Sequence, residues 1–186
     1  MQQTEQLEAR IDPNQTPEER RARIRAAYEE NKSQMTVMLA RKLGVPELEV
    51  MRSLEDNAVT ELDVSRWEEL LRRFTNFGDV HVISTNGSLT LECHGQFGNF
   101  STWGEYFNVQ TKSLDMHLRY KTLSAIFAVE KPGHMDGVPT ISFQFFNHDG
   151  DSAFKVFLTF GNKPPSPEIR EQFTHVCEEF RSSAAK

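Results

Sequence analysis

Between residues 79 and 160 the chain repeats one pattern. Short runs that alternate apolar with polar residues are separated by Gly, Asn, Asp and Pro clusters. The runs read VHVIS, SLTLE, EYFNVQ, SLDMHLRY, LSAIFAVEK, TISFQFFN and SAFKVFLTF. Period-two alternation presents one apolar face per strand, so these segments must pair into a sheet with at least one buried face. Asn86-Gly87 stands between the first two runs and predicts a two-residue hairpin of the I′ type. His148-Asp149-Gly150-Asp151 marks a second hairpin, and Pro132-Gly133 with Asp136-Gly137 a longer turn. Gly95, Gly98 and Gly104 read as a loosened loop between the second and third runs. No strand alternates with a helical segment, which argues against a parallel βαβ sheet. The expected fold class is α+β: a large antiparallel β-sheet of seven or eight strands, with an N-terminal helical cap and a packed C-terminal helix.

Composition divides the chain at the same place. All 14 phenylalanines lie at or beyond Phe74, as do nine of the ten glycines. Phe143, Phe145, Phe154, Phe173 and Phe180 are expected core residues. Phe145 and Phe146 are neighbours on one strand and must face opposite sides of the sheet. One face can then pack on helices while Phe146, on the other, is offered to a flat ligand or a second subunit. Pro164, Pro165 and Pro167 end the strand region. Ser166 then caps a helix carrying Ile169, Phe173, Val176 and Phe180 in 3.6-residue register.

The front of the chain is polar and helical. Residues 1–15 have little to bury and predict a disordered lead. Residues 16–76 form a helical region, and residues 77–186 a sheet with its closing helix, the two making one structural domain. Thr16-Pro17-Glu18-Glu19 is a helix start, with an N-cap, a proline in the first turn and acidic residues at the positive end of the dipole. Its helix offers only Ile24 and Tyr28 as large anchors. The five arginines from Arg10 to Arg25 read as a solvated face rather than a nucleic-acid arm. Ser33 is placed as the next cap, ahead of Met35, Met38, Leu39 and Leu43 at helical spacing. Gly44 stops that helix and Pro46 opens another through Val50, Met51 and Leu54. This cadence matches a DNA-binding helix-turn-helix, but the second helix reads PELEVMRSL, whose glutamates would repel phosphates. A helical cap packed on the sheet is the preferred reading. Val59 to Leu62 is taken as an extended link, and Asp63 as the cap of a helix carrying Trp67, Leu70, Leu71 and Phe74.

Several function classes are excluded or left without support. A net charge of −6 opposes generic nucleic-acid binding. No apolar run is long enough to span a bilayer, and Met1 to Arg10 lacks the apolar core of a secretory signal. Cys93 and Cys177 are expected to be reduced thiols in a cytoplasmic protein. There is no GxSxG, Walker loop, CxxC, HExxH or dinucleotide-binding glycine motif. Cys93-His94 has no second pair at metal-site spacing, and alternation sends its side chains to opposite faces. His134, His148 and His175 read as surface residues, and His81, between two valines, as half-exposed. In LDMHLRY, Leu114, Met116 and Leu118 share one face while Asp115, His117 and Arg119 share the other. An imidazole can ligate iron and a guanidinium can bind a carboxylate, with Lys112 and Lys121 adding charge nearby. From spacing alone, a solvent-facing polar edge and a ligand site both remain open.

One resemblance bears on that choice. FGDV at 77–80, YFNV at 106–109, MHLR at 116–119, IFAVE at 126–130, ISFQFFN at 141–147 with Gly150, and KVFL at 155–158 are similar, in order and spacing, to the HutX/ChuX family. These are intracellular haem-utilisation carriers, distant relatives of the two-repeat HemS/ChuS haem proteins. LARKLGVPELEVMRSL resembles the family's opening helices, so the likeness spans roughly residues 35–180. It implies a cytoplasmic, homodimeric protein that binds haem (iron protoporphyrin IX) reversibly and delivers it to a haem-receiving partner. It implies no nucleic acid and no membrane insertion. It makes His117 the iron-associated residue and Arg119 a propionate partner; His81, Lys112 and Phe146 are further cofactor-binding candidates by their positions in the sequence. The chain departs from some members at Thr85, where they carry a histidine, and His81 lies four residues earlier. A haem-degrading oxygenase is the alternative function, since the sequence does not separate binding from turnover. A DNA-binding or protein-docking adaptor built on the front helices is the second alternative.

Overall fold

A computed structural model describes residues 10–54, 58–134, 137–159 and 163–183. Three helices come first: α1 (Pro17–Glu30), α2 (Thr36–Leu43) and α3 (Glu47–Ser53). Strand β1 (Val59–Leu62) leads through a 3₁₀ turn into α4 (Trp67–Arg73). Strands β2 (Asp79–Thr85), β3 (Thr90–Gln96), β4 (Phe100–Trp103), β5 (Tyr106–Gln110) and β6 (Asp115–Leu118) follow. Then come β7 (Leu123–Pro132), β8 (Pro139–Asn147), β9 (Ser152–Phe157) and α5 (Pro167–Phe180).

The strands form two sheets, one six-stranded in the order β1-β7-β8-β9-β2-β3 and one three-stranded in the order β4-β5-β6. Every pairing is antiparallel. One face of the large sheet supplies Val80, Val82, Ile126, Ala128, Ile141, Phe143, Phe145, Phe154 and Val156 to the main core. Against it pack Leu70 and Leu71 of α4, Phe173, Val176 and Phe180 of α5, and Phe107, Val109 and Leu118 of the small sheet. The five phenylalanines expected in the core are all in this cluster. The other face supplies Ala125, Phe127, Val129 and Phe146 to a second cluster, built with Ile24, Tyr28, Leu39, Val50 and Met51 of the front helices.

Local chemistry explains the helix ends. Thr16 and Glu19 form a reciprocal capping box, and Ser166 accepts the Ile169 N–H at the start of α5. Gly44 ends α2 at φ 69°, a left-handed conformation that costs glycine little. Ile24 and Tyr28 are the buried residues of α1, as its pattern predicts. Two of its arginines reach across to α3: Arg20 forks onto Glu49, and Arg25 donates to the Ser53 carbonyl.

Elsewhere the structure corrects the sequence reading. The segment 59–62 is no link but an edge strand paired with β7, so the region 16–76 contributes to the sheet and is not purely helical. The glycine-flanked loop after β3 contains a strand of its own, β4. The first hairpin turns through four residues between the Thr85–Thr90 pair, and Asn86 does not adopt the positive φ that a I′ turn demands. Instead the Asn86 side chain accepts the backbone N–H groups of Ser88 and Leu89. Ser33 is not a cap: α2 starts after Met35, whose side chain makes no capping bond. Met35 and Met38 face outward at 45% and 46% exposure, while Thr36, Leu39, Ala40 and Leu43 face in. The expected lead is anchored from Ile11, which is buried and donates its N–H to Leu43. Residues 1–9 and Asp136 lie outside the described residues.

Phe146 does lie opposite Phe145, but its ring is fully buried beneath the front helices and meets Phe127 edge-on. It is therefore closed off from any flat ligand, because the helical layer has already taken that apolar face.

Candidate functional site

The small sheet puts its apolar side chains into the main core and turns the alternate set outward. Phe100, Phe107, Val109, Met116 and Leu118 pack inward. Between them Ser101 and Trp103 of β4, Tyr106 and Asn108 of β5, and Asp115 and His117 of β6 take the opposite face. The register aligns these residues in rows: Ser101 pairs with Asn108, Asn108 pairs with His117, and Trp103 pairs with Tyr106. Trp103 is 77% exposed, a large aromatic left in water on the face that carries His117. The sheet is braced from behind. Trp67 at the start of α4 stacks on Tyr120 at 4.8 Å and meets Phe107 edge-on at 5.1 Å.

His117 is held by a polar row that crosses three strands. Asn108 Nδ2 donates to Ser101 Oγ at 3.1 Å, which turns the amide oxygen toward the histidine. His117 Nδ1 lies 2.7 Å from Asn108 Oδ1, so the ring proton sits on Nδ1. In the neutral ring this leaves the lone pair on Nε2, the form in which imidazole ligates a metal. The side chain is 56% exposed, and its Nε2 is 3.5 Å from Asp115, too far for a hydrogen bond. Asn108, by contrast, is a buried polar residue at 6% exposure. A pre-oriented imidazole therefore stands on the open face that also carries Trp103 and Tyr106.

The remaining candidates lie around this face or away from it. Arg119 follows the end of β6 and is engaged by Glu105, with Nε at 2.8 Å and a terminal nitrogen at 2.7 Å. An incoming carboxylate would exchange with Glu105. Lys112 is exposed on the turn before β6, beside a cleft that includes Asp79, Gln96 and Ser113. Gly95 on the wall of that cleft has φ 148°, and a Cβ there would sit 2.0 Å from Ser113 Oγ, so only glycine fits. His81 is elsewhere. It lies between Val80 and Val82, which enter the main core, and so leaves the outer face of the large sheet. His81 and His117 thus point away from the shared core on different sheets. Phe146 is interior, as described above.

Three residues of the open face escaped the sequence reading. Trp103 and Ser101 sit on the strand taken for a loop, and Asn108 is informative only once the register sets it opposite His117. FSTW, apolar at both ends and polar between, lacks period-two alternation; its β-prone Phe, Thr and Trp ahead of YFNV were the available signal.

Comparison with known proteins places this architecture. A family model described as "Haem utilisation ChuX/HutX" matches residues 60–176. The intracellular heme transport protein HutX of Vibrio cholerae is 24% identical over 145 residues, covering 77% of this chain and 74% of that protein. A solved structure of the heme-binding protein ChuX superposes with a TM-score of 0.74 at 20% identity, covering 84% of this chain and 97% of that one. The heme degrading enzyme ChuS of Escherichia coli O157:H7 matches with a TM-score of 0.75 at 19% identity, over 92% of this chain but only 49% of that one. The front helices, the large antiparallel sheet and the closing helix are thus a shared fold. With the family model matching well over half its length, this chain belongs to the ChuX/HutX haem-utilisation family.

Proposed function

We propose that this chain is an intracellular haem carrier that takes up iron protoporphyrin IX reversibly on the outer face of the small sheet and releases it to a receiving protein. The observation that carries this reading is His117: an exposed imidazole with Nδ1 committed to Asn108 and Nε2 available to iron. Trp103 and Tyr106 supply flat apolar surface beside it, and Arg119 and Lys112 supply cations beyond the two ends of β6 for the propionates. Haem bound there supplies the iron. The protein supplies one oriented ligand and a surface from which the macrocycle can leave. Family membership supports the ligand class, and the name of the Vibrio cholerae relative supports both transport and an intracellular setting.

A homodimer is part of the same proposal. ChuS is about twice as long as the segment this chain matches, so two copies would reproduce its length. Hemin titration of the purified protein tests the site. A Soret shift that saturates at one haem per chain and is lost in His117→Ala is expected. No shift, or an identical shift in the variant, would reject it. Reduction of the complex under air, with catalase present, separates carriage from degradation: the carrier keeps its Soret band, whereas an oxygenase loses it.

A further inference from the structure

Two histidines that sequence spacing left unconnected meet on the other sheet. His81 on β2 pairs directly with His94 on β3, and Ile83 pairs with Glu92. Glu92 and His94 are two residues apart on β3 and so share a face, with His81 across from them. The two imidazole rings stack with centroids 3.9 Å apart, and His81 Nε2 is 3.1 Å from Glu92 Oε2. Their ligand atoms all lie within 4.8 Å of one another. Among the described residues this is the one such cluster of three His, Cys, Asp or Glu side chains.

We propose that His81, His94 and Glu92 form a binding site for a bare divalent first-row transition-metal ion of borderline softness, separate from the haem site. Two imidazoles and one carboxylate are the donor set such ions prefer, and sheet β2–β3 presents them with a side open for water. A tetrahedral ion with bonds of about 2.0–2.1 Å holds its ligand atoms about 3.3 Å apart. Stacked rings hold their lone pairs in parallel planes, so converging on one ion requires His94 and Glu92, both exposed, to change rotamer while His81 stays in place. The backbone register has already set the approach.

Geometry rules out haem iron for this pair. Two axial imidazoles must stand on opposite sides of the macrocycle, and rings stacked at 3.9 Å leave no space for a porphyrin between them. They can act only as neighbouring ligands on one side of an ion. His81 also suits the role electrostatically. Burial and the adjacent His94 hold its imidazole below the usual range, which favours the neutral form. Its side chain is only 14% exposed, so it is the rigid member of the set.

The proposal is tested on the full-length chain without haem, by titrating Co²⁺ and then displacing it with Zn²⁺. One equivalent of Co²⁺ should produce visible d–d bands of a low-coordinate site, and Zn²⁺ should abolish them. His94→Gln changes an exposed residue and should weaken binding by roughly tenfold or more, since it removes one of three protein ligands. His81→Asn should do the same, with circular dichroism confirming that it folds. His117→Ala should bind Co²⁺ like the wild type. Absence of bands up to millimolar Co²⁺, or undiminished binding in both His94→Gln and His81→Asn, would overturn the site. Because no haem is present and His117 is not involved, neither result bears on the carrier reading.

Discussion

The proposed role of His117 as iron ligand requires its Nε2 to be unprotonated, and its orientation for that depends on one amide. Asn108 fixes the tautomer from a buried position and is itself oriented by Ser101. Outer partners of this type typically alter metal affinity by about 10–100-fold, so Asn108→Ala should weaken haem binding by roughly that factor. Asn108→Asp should keep the geometry and add negative charge, making the imidazole a stronger donor and lowering the iron's reduction potential. Hemin titration and potentiometry of the two variants separate these effects; unchanged affinity in Asn108→Ala would refute the tautomer argument. A second residue gives a pH signature. Lys131 Nζ donates to the Pro132 carbonyl at 2.7 Å, and burial, with a smaller contribution from Lys155, pushes its ammonium from 10.5 down to about 8. Between those values the unfolded chain binds more protons than the folded one, so this group adds stability as pH rises from about 8 toward 10.5. The urea midpoint of the wild type, measured relative to Lys131→Met, should therefore climb across that interval. A flat difference would show that the ammonium is not perturbed.

The helical layer is attached to the sheet by a buried ionic contact as well as by apolar packing. Glu47, the first residue of α3, accepts from Lys155 on β9 at 2.6 Å and from Thr36 on α2 at 2.5 Å. The two charged side chains are 4% and 12% exposed. Removing one partner of such a pair strands the other, at a cost of about 3–5 kcal/mol, whereas replacing both with apolar residues is often neutral. Glu47→Leu should thus lower stability markedly, and Glu47→Leu with Lys155→Met should recover most of the loss in urea melts. Additive losses would mean that the contact is not coupled. The same contact bears on the helix-turn-helix cadence. Glu47, Val50, Met51 and Ser53 are buried, and the Leu48 N–H is bonded to Gly150, so α3 is committed to the sheet. What was readable at this scale was local. The capping box at Thr16, the Gly44 stop and the long alternating strands each depend on residues within a few positions. Strands β1 and β4 were missed because four residues carry too little alternation to stand out. The Ser101–Asn108–His117 row and the His81–His94 pair were beyond reach for another reason: register is set by long-range packing, and no run of sequence states which residue lies opposite which.

At the scale of the whole molecule, two sheets share one core, and the face bearing His117 is left open. The large sheet is covered on one side by α4, α5 and the small sheet, and on part of the other by the front helices. Sequence anticipated that aromatic residues would occupy both faces of the sheet. It did not anticipate that the helices would claim Phe146, or that the exposed aromatic would be Trp103. That distribution has a kinetic consequence. A haem held by one imidazole on an open sheet is not enclosed by protein, so few contacts must break before it leaves. In the proposed carrier, ligation by His117 would set the residence time, and dissociation would need no opening of the core. Mixing the haem complex with excess apomyoglobin should therefore move all the haem, at a rate independent of apomyoglobin concentration and faster in Asn108→Ala than in the wild type. Light scattering on the same samples should give twice the 21.4 kDa chain mass, before and after release. Haem that stays bound through the exchange would mean that the site closes over its ligand, and a carrier built on an open face would have to be abandoned.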